Sequence, residues 1–441
     1  MAPTRKDILA LVQEDRVHRD LYLSEELFAL EQRHFFANTW NFVGHASQVP
    51  KAGDFITVEI AGRPLLMVRQ ADGSIRVLNN RCAHKGMPLA TDAAGSVNRF
   101  FRCPYHAWTY HLDGSPLSVP LKDGYANGRM QACESGQGMG ALQHVAVYRD
   151  FVFAKINNGG PDFHAYFGEV LGAIDNLADR SPTGKLTVEG GILRNIVHCN
   201  WKMYLENIND TVHPLSAHES ATAAAHRLWQ GQPADAPKPM AMEQILPFGA
   251  GYDFFDKMGG RIYANGHSML GTQFSLHSAY AQVAEYEEAL RAAHGAERTT
   301  EILQRSPQNS LCFPSLAVKS SPQAFRVIRP LAADRTLVEA WSLRAEGAPE
   351  VLFERSLMYN RLVFSPMSIV AHDDVHLFES IQQGLKAGRN DWISLHRDFE
   401  RAELEGGTQE VNGTNELLMR NQFRAWAQYM VADMAEGEVL A

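Results

Sequence analysis

Apolar positions recur at helical spacing in EELFALEQRHFF (25–36), and residues 1 to about 40 are expected to be helical. From Asp54 the period shortens towards two. DFITVEI (54–60), PLLMVRQ (64–70) and SIRVLNN (74–80) read as short strands, the last two joined through an Ala-Asp-Gly turn. VAVYRDFVFAKI (145–156) closes this β-rich stretch, and the Asn-Asn-Gly-Gly-Pro run at 157–161 reads as a boundary. Beyond it, KLTVEGGILRNIV (185–197) predicts a strand, and WKMYLENINDTVHPLSAH (201–218) starts as a helix. A Pro/Gly/Ala-rich stretch at 230–251 reads as loop. AFRVIRP (324–330) and TLVEAWSL (336–343) form an expected antiparallel hairpin, and VLFERSLMYNRLV (351–363), DDVHLFESIQQGL (373–385) and ELLMRNQFRAWAQYM (416–430) are expected helices. No internal repeat is visible. The pattern predicts an α+β chain with an all-β module at 41–157, set within a larger domain made of 1–40 and 158–441.

The length of 441 residues exceeds what one core usually supports, which agrees with two domains. A net charge of −9 argues against nucleic acid as a general partner. No apolar run is long enough to span a bilayer, and charges interrupt the N-terminal residues where a signal peptide would be apolar. A cytoplasmic location without membrane attachment is expected. Cys82 and Cys103 stand in short loops while Cys133, Cys199 and Cys312 are scattered, an odd set of five that suggests ligands and core thiols rather than disulfides.

The two loops are Cys82-Ala-His84 and Cys103-Pro-Tyr-His106. Each offers one thiolate and one imidazole. A mixed Cys2His2 set suits a [2Fe–2S] centre of raised potential, with a structural zinc site as the alternative. Gly86 and Pro88 follow the first pair, and Pro104, Tyr105 and Trp108 surround the second, as shielding for a cluster.

A second constellation runs from Glu206 to His218. Two imidazoles and one carboxylate on one side of a metal form the facial triad of non-haem Fe(II) oxygenases. His213 and His218 are five apart, so a regular helix would not converge them, and Pro214 disfavours a helical His213, which suggests a kink there. The carboxylate is open between Asp210, one turn before His213, and Asp374 in the distant Ala371-His372-Asp373-Asp374. Asp210 in the other role would orient a histidine.

In order, Trp40-x-x-Val43-Gly44-His45, Cys82-x-His84, Cys103-Pro-Tyr-His106, Glu206-Asn207-x-x-Asp210-x-x-His213-x4-His218 and Asp373-Asp374 followed by Glu379 and Gln382 resemble the α subunits of Rieske non-haem iron aromatic-ring-hydroxylating oxygenases. The resemblance runs nearly the whole chain. It implies an all-β Rieske [2Fe–2S] domain at 41–157, with Cys82, His84, Cys103 and His106 as cluster ligands. It implies a catalytic domain with an antiparallel sheet covered by helices, and iron on His213, His218 and Asp374. Asp210 then matches an aspartate that bridges a cluster histidine, His106 by position, to His213 across neighbouring subunits of a trimer. Asn207 matches a position near the iron. Three departures stand out: Ala107 where Gly is usual, Lys85 where Arg is usual, and Val212 in place of Tyr before the first iron ligand.

The implied activity is cis-dihydroxylation of an aromatic ring with O2, using NAD(P)H electrons delivered through a separate reductase, a ferredoxin, or both. Monooxygenation (hydroxylation or demethylation) and a non-catalytic electron-transfer or metal-structural role are the alternatives. The assembly expected is an α homotrimer or an α3β3 complex. Gly136-x-Gly138-x-Gly140 lacks dinucleotide-binding spacing and reads as a loop. Arg81, Lys85, Arg99 and Arg102 near the cluster loops suggest a basic docking patch for an acidic donor. By resemblance, Ile208, Phe364 and Val370 line the substrate pocket, with room at Val370 for a bulky ring. Lys319 is a candidate anchor for a substrate carboxylate.

Overall fold

The computed structural model describes residues 3–125, 138–233, 235–401 and 407–435. Cys133 and Gly136 lie outside them. The chain forms two compact units, residues 31–160 and residues 1–30 with 161–441.

The smaller unit is built of three antiparallel sheets, one of four strands and two of three. Asp54–Ile60 and Arg63–Arg69 form a hairpin. Its turn residues, Ala61 and Gly62, both have positive φ (52° and 68°), matching the right-handed twist of the strands. Leu65, Leu66, Met67 and Val68 are all buried because the strand is covered on both faces. Leu66 and Val68 pack with Phe101, Trp108 and Tyr110 beside the ligand loops. Leu65 and Met67 pack with Val43, Val77 and Val152 on the other side.

The larger unit is organised by an eight-stranded antiparallel sheet. The expected hairpin is the pair Ala324–Ala332 and Arg335–Ala345, and Leu186–Val197 adds to its outer edge. Gly190 and Gly191 break the register of that edge strand, and a Cβ on Gly190 would stand 2.2 Å from Leu357 Cδ2. The helix Leu417–Met430 is buried almost throughout. The fold is α+β, as the pattern predicted.

Two expectations fail. Residues 1–40 are not one helical stretch: Arg16–His18 pairs with Trp392–Ser394 as a small sheet, between short helices at Arg5–Ala10 and Asp20–Leu23. A distant strand partner outweighs local helical periodicity there. The 230–251 stretch is not all loop, since Met240–Ile245 is a helix that starts after Pro239. Ile245 and Phe248 join the core with Tyr359 and Val363. Among the described residues no helix is long and apolar enough to cross a membrane.

Candidate metal centres and substrate cavity

The two Cys/His loops share one backbone design. The amide of Cys82 donates to the Met87 carbonyl (2.8 Å), and the amide of Cys103 donates to that of Trp108 (2.8 Å). In each loop the residue four beyond the cysteine donates back to the cysteine carbonyl: Gly86 to Cys82 at 2.9 Å and Ala107 to Cys103 at 3.0 Å. That residue sits at positive φ in both, 79° at Gly86 and 56° at Ala107. The family's usual Gly after the second histidine thus has a physical reason, and Ala107 occupies a conformation that costs a side chain about 1 kcal/mol or more.

Cys82 and Cys103 are buried. The Cys82 Sγ lies 3.1 Å from the Tyr110 hydroxyl, which also accepts the Ala83 amide (3.0 Å). The His84 ring stacks on Trp108 (4.6 Å between centroids) and meets His106 edge-on at 4.7 Å. Among the described residues, His84 Nδ1 is buried with no hydrogen-bond partner. Two buried thiols beside an orphaned imidazole nitrogen fit a donor set for a cluster. His106 itself is exposed.

The second centre is assembled by a break in the chain. The helix Trp201–Ile208, capped by the Asn200 side chain, ends at Asn209. Asp210 then folds the next residues into a turn: Oδ1 accepts the Val212 amide (2.9 Å) and Oδ2 the His213 amide (3.2 Å). Pro214 opens the short helix Pro214–Ala217. The bend that lets the two rings converge therefore precedes the proline. His213 is itself helical in backbone (φ −61°, ψ −33°), against the expectation from Pro214, because the Asp210 carboxylate fixes its amide.

Asp374 enters from the first turn of the helix Ala371–Gly384. That helix is tied to the entry of the first one: Glu379 accepts the His198 amide (3.1 Å), and Gln382 accepts the Asn200 amide (3.0 Å). His213, His218 and Asp374 each bring a ligand atom within 4.8 Å of the others, as a metal ion requires. The Asp374 Oδ1 lies 3.6 Å from His213 Nε2 and 3.5 Å from His218 Nε2. Behind the rings, Asp210 Oδ2 is 3.0 Å from His213 Nδ1, and Asp373 Oδ2 is 3.4 Å from His218 Nδ1. Each imidazole thus has a carboxylate at the nitrogen facing away from the shared centre, the arrangement that orients metal-binding histidines. Asp210 is outside the ligand group, and Asp373 is a positioning residue that the sequence reading did not single out. Asn207 Nδ2 approaches both His213 Nε2 (3.1 Å) and Asp374 Oδ1 (3.3 Å).

Electrostatics follow the packing. Burial pushes the Asp210 carboxyl up, but His213, the Val212 amide and Arg397 outweigh it and hold it below the ordinary carboxylate value. Burial pushes Asp374 above its usual range despite both histidines. Burial also dominates at His218, lowering its pKa, whereas at His213 the bond to Asp210 and the charge of Asp374 overcome burial and raise it.

Two cavities meet at this centre. One, of about 60 Å³, is lined by the three candidate ligands with Phe248, Tyr359, Val363, Phe364 and Val370. Its lining mixes these aromatic and aliphatic side chains with the polar Gln308, Asn309 and Arg326. The other, about 320 Å³, opens past Asp210 between Glu206, Met203, Phe378 and Ile381. Of the pocket residues expected from sequence, Phe364 and Val370 line the first cavity, while Ile208 and Lys319 do not. Ile208 is buried and presents its carbonyl to Asn309 (3.1 Å). Lys319 is buried in its strand, and its Nζ donates to the Gln308 carbonyl and side chain (3.1 Å each). Its strand alternation turns it inward, onto the cavity-lining Gln308 rather than onto the cavity. Arg326, which does line the cavity, was missed because a strand arginine carries no local signal of burial.

Residues 39–132 match the family described as Rieske [2Fe-2S] domain, and residues 177–433 match the ring hydroxylating alpha subunit (catalytic domain). The biphenyl dioxygenase subunit alpha of Metapseudomonas furukawaii is 28% identical, over 97% of this chain and 94% of that one. The toluate 1,2-dioxygenase subunit alpha of Pseudomonas putida is 25% identical, over 96% and 94%. The crystal structure of naphthalene 1,2-dioxygenase from Rhodococcus sp. bound to indole shares the fold with a TM-score of 0.76 at 23% identity, covering 95% of each chain.

Proposed function

Because the chain belongs to the ring-hydroxylating oxygenase α-subunit family, an enzyme family whose cofactors are a Rieske [2Fe–2S] cluster and a mononuclear iron, we propose that it is the terminal component of an aromatic-ring dioxygenase. In this reading Cys82, His84, Cys103 and His106 hold the cluster, and His213, His218 and Asp374 hold the iron. When bound, the cluster supplies electrons one at a time and the iron supplies O2 activation, so both oxygen atoms enter the ring as a cis-diol.

The single observation that carries this reading is the triad of His213, His218 and Asp374 opening onto an aromatic-lined cavity. A structural metal would be closed off by protein. The chain's own residues orient and exclude: Asp210 and Asp373 fix the two imidazoles, and Phe248, Tyr359 and Phe364 wall the substrate space from water.

The electron route in this proposal runs from His106 of one subunit to Asp210 of the next within an α trimer, with or without a small β subunit. It is supported by the exposure of His106 and by the position of Asp210 on the open second cavity, in contact with His213. A reductase or ferredoxin would dock at Arg81, Lys85, Arg99 and Arg102, all exposed and without an ion-pair partner among the described residues.

The test is turnover under labelled O2 with a panel of arenes and a surrogate electron donor, read by mass spectrometry. Two labelled atoms in one ring product are expected. One labelled atom would make it a monooxygenase, and no product from any arene would favour an electron-transfer or metal-structural role.

A further inference from the structure

Arg326 is a buried cation without a counter-ion. It is 5% exposed and lines the same cavity as His213, His218 and Asp374. Its guanidinium donates to Asn309 Oδ1 (2.5 Å) and lies 4.4 Å from the centre of the Phe364 ring and 5.8 Å from that of Tyr204. Asn309 is anchored in turn by its bond to the Ile208 carbonyl (3.1 Å). Among the described residues no carboxylate is within ion-pair distance of Arg326, and no further protein acceptor is bonded to it. Elsewhere in the same sheet the rule is followed: buried Glu339 is paired with both Arg194 and Arg329.

The second cation nearby does not answer this one. Lys319 faces Ala324, and Arg326 faces Ala317 across the same pair of strands. Both side chains therefore leave the same face of the sheet, two positions apart. Burial and the charge of Arg326 push the Lys319 pKa well down, whereas a guanidinium keeps its proton. The charge that faces the cavity is that of Arg326.

Taking two charges out of water is tolerable when they pair, and an unpaired buried charge is costly. A neutral acceptor would use the spare N–H groups but leave the charge unanswered. The planar fork of a guanidinium matches a carboxylate in two parallel hydrogen bonds. Resting on the oxygenase reading above, we propose that the substrate is an aromatic carboxylate whose anionic group pairs with Arg326 while its ring lies against Phe364 towards the metal-binding triad.

The test compares molecules of one shape and two charges: benzoate with benzamide, and 2-naphthoate with 2-naphthamide, titrated calorimetrically into the iron-loaded protein. We expect at least one carboxylate to bind about tenfold to a hundredfold more tightly than its amide, the range for a hydrogen bond gaining charge. Arg326→Met should bring that ratio near one, and Arg326→Lys should restore part of it. The ratio should persist after the iron is chelated, since the guanidinium and not the metal reads the anion. A wild-type ratio of one, no binding of either carboxylate, a ratio unchanged in Arg326→Met, or a ratio lost with the iron each overturns the proposal. If Arg326→Met does not fold, the wild-type and chelation arms still decide. Labelled-O2 turnover of neutral arenes tests the oxygenase reading separately, because diol formation from them does not need an anion preference.

Discussion

The Asp210 carboxylate bonds His213 twice, accepting its backbone amide at 3.2 Å and lying 3.0 Å from its ring Nδ1. One side chain thereby sets both the turn that aims the imidazole and the charge behind it. The same residue lines both cavities that meet at the metal centre. It is therefore a positioning residue for His213 that also lines a cavity open to the outside.

Asp210→Asn keeps an acceptor for the turn but removes the charge. We expect turnover to fall about tenfold to a hundredfold, as changes behind a metal ligand do. The visible absorbance of the cluster and the iron content should be unchanged, so single-turnover reduction and iron analysis separate electron delivery from loss of metal. Normal reduction and turnover in this variant would remove Asp210 from the electron route.

Asp374→Ala removes one of three ligand groups from the second centre and none from the first. The expected outcome is loss of the mononuclear iron and of all turnover, with cluster absorbance retained. Iron-to-protein ratios and an absorption spectrum suffice. A variant that still oxygenates an arene would show that the carboxylate ligand lies elsewhere.

Glu206 gives the larger unit a pH dependence. Burial raises its pKa from 4.5 to about 7, against the pull of the Tyr22 hydroxyl (2.8 Å) and Lys202. Between those values the folded protein holds a proton that the unfolded chain has released. Its contribution to stability is therefore most favourable below 4.5, falls as pH rises through this window, and is fully lost above 7, a change of about 3 kcal/mol. Glu206→Gln keeps an acceptor for Tyr22 and cannot ionise. The difference in unfolding free energy between variant and wild type should grow from pH 5 to pH 8 in favour of the variant. A constant difference would refute the assignment.

Ala107 carries the one side chain at positive φ in either cluster loop. Ala107→Gly should stabilise the smaller unit by about 0.5 to 1 kcal/mol, the relief of the left-handed conformation less the extra freedom of glycine in the unfolded chain. Thermal loss of the cluster chromophore would shift upward. A downward shift would mean that the methyl group contributes packing that outweighs the strain.

Short-range pattern carried most of what could be read early. The short apolar runs in DFITVEI and PLLMVRQ mark strands of the β module, and four donors in two loops suggest a cluster-type site because ligand spacing is local. The His213/His218 pair is equally local. Where the N-terminal helix was broken by Arg16–His18 pairing with Trp392–Ser394, the decisive partner lay at the other end of the chain.

The sequence by itself determined the α+β class, since that rests on patterns local along the chain, and it offered the candidate donors of both centres. Spacing leaves Asp210 and Asp374 open and the family resemblance implies Asp374; the tertiary structure is what groups Asp374 with the two histidines. It brings a distant helix onto His213 and His218, held there by Glu379 and Gln382, and turns Asp210 behind the ring. It likewise decided which cation faces the cavity. Lys319 and Arg326 look alike in a strand sequence, and only packing directs one onto Gln308 and the other to the wall of the cavity beside His213, His218 and Asp374.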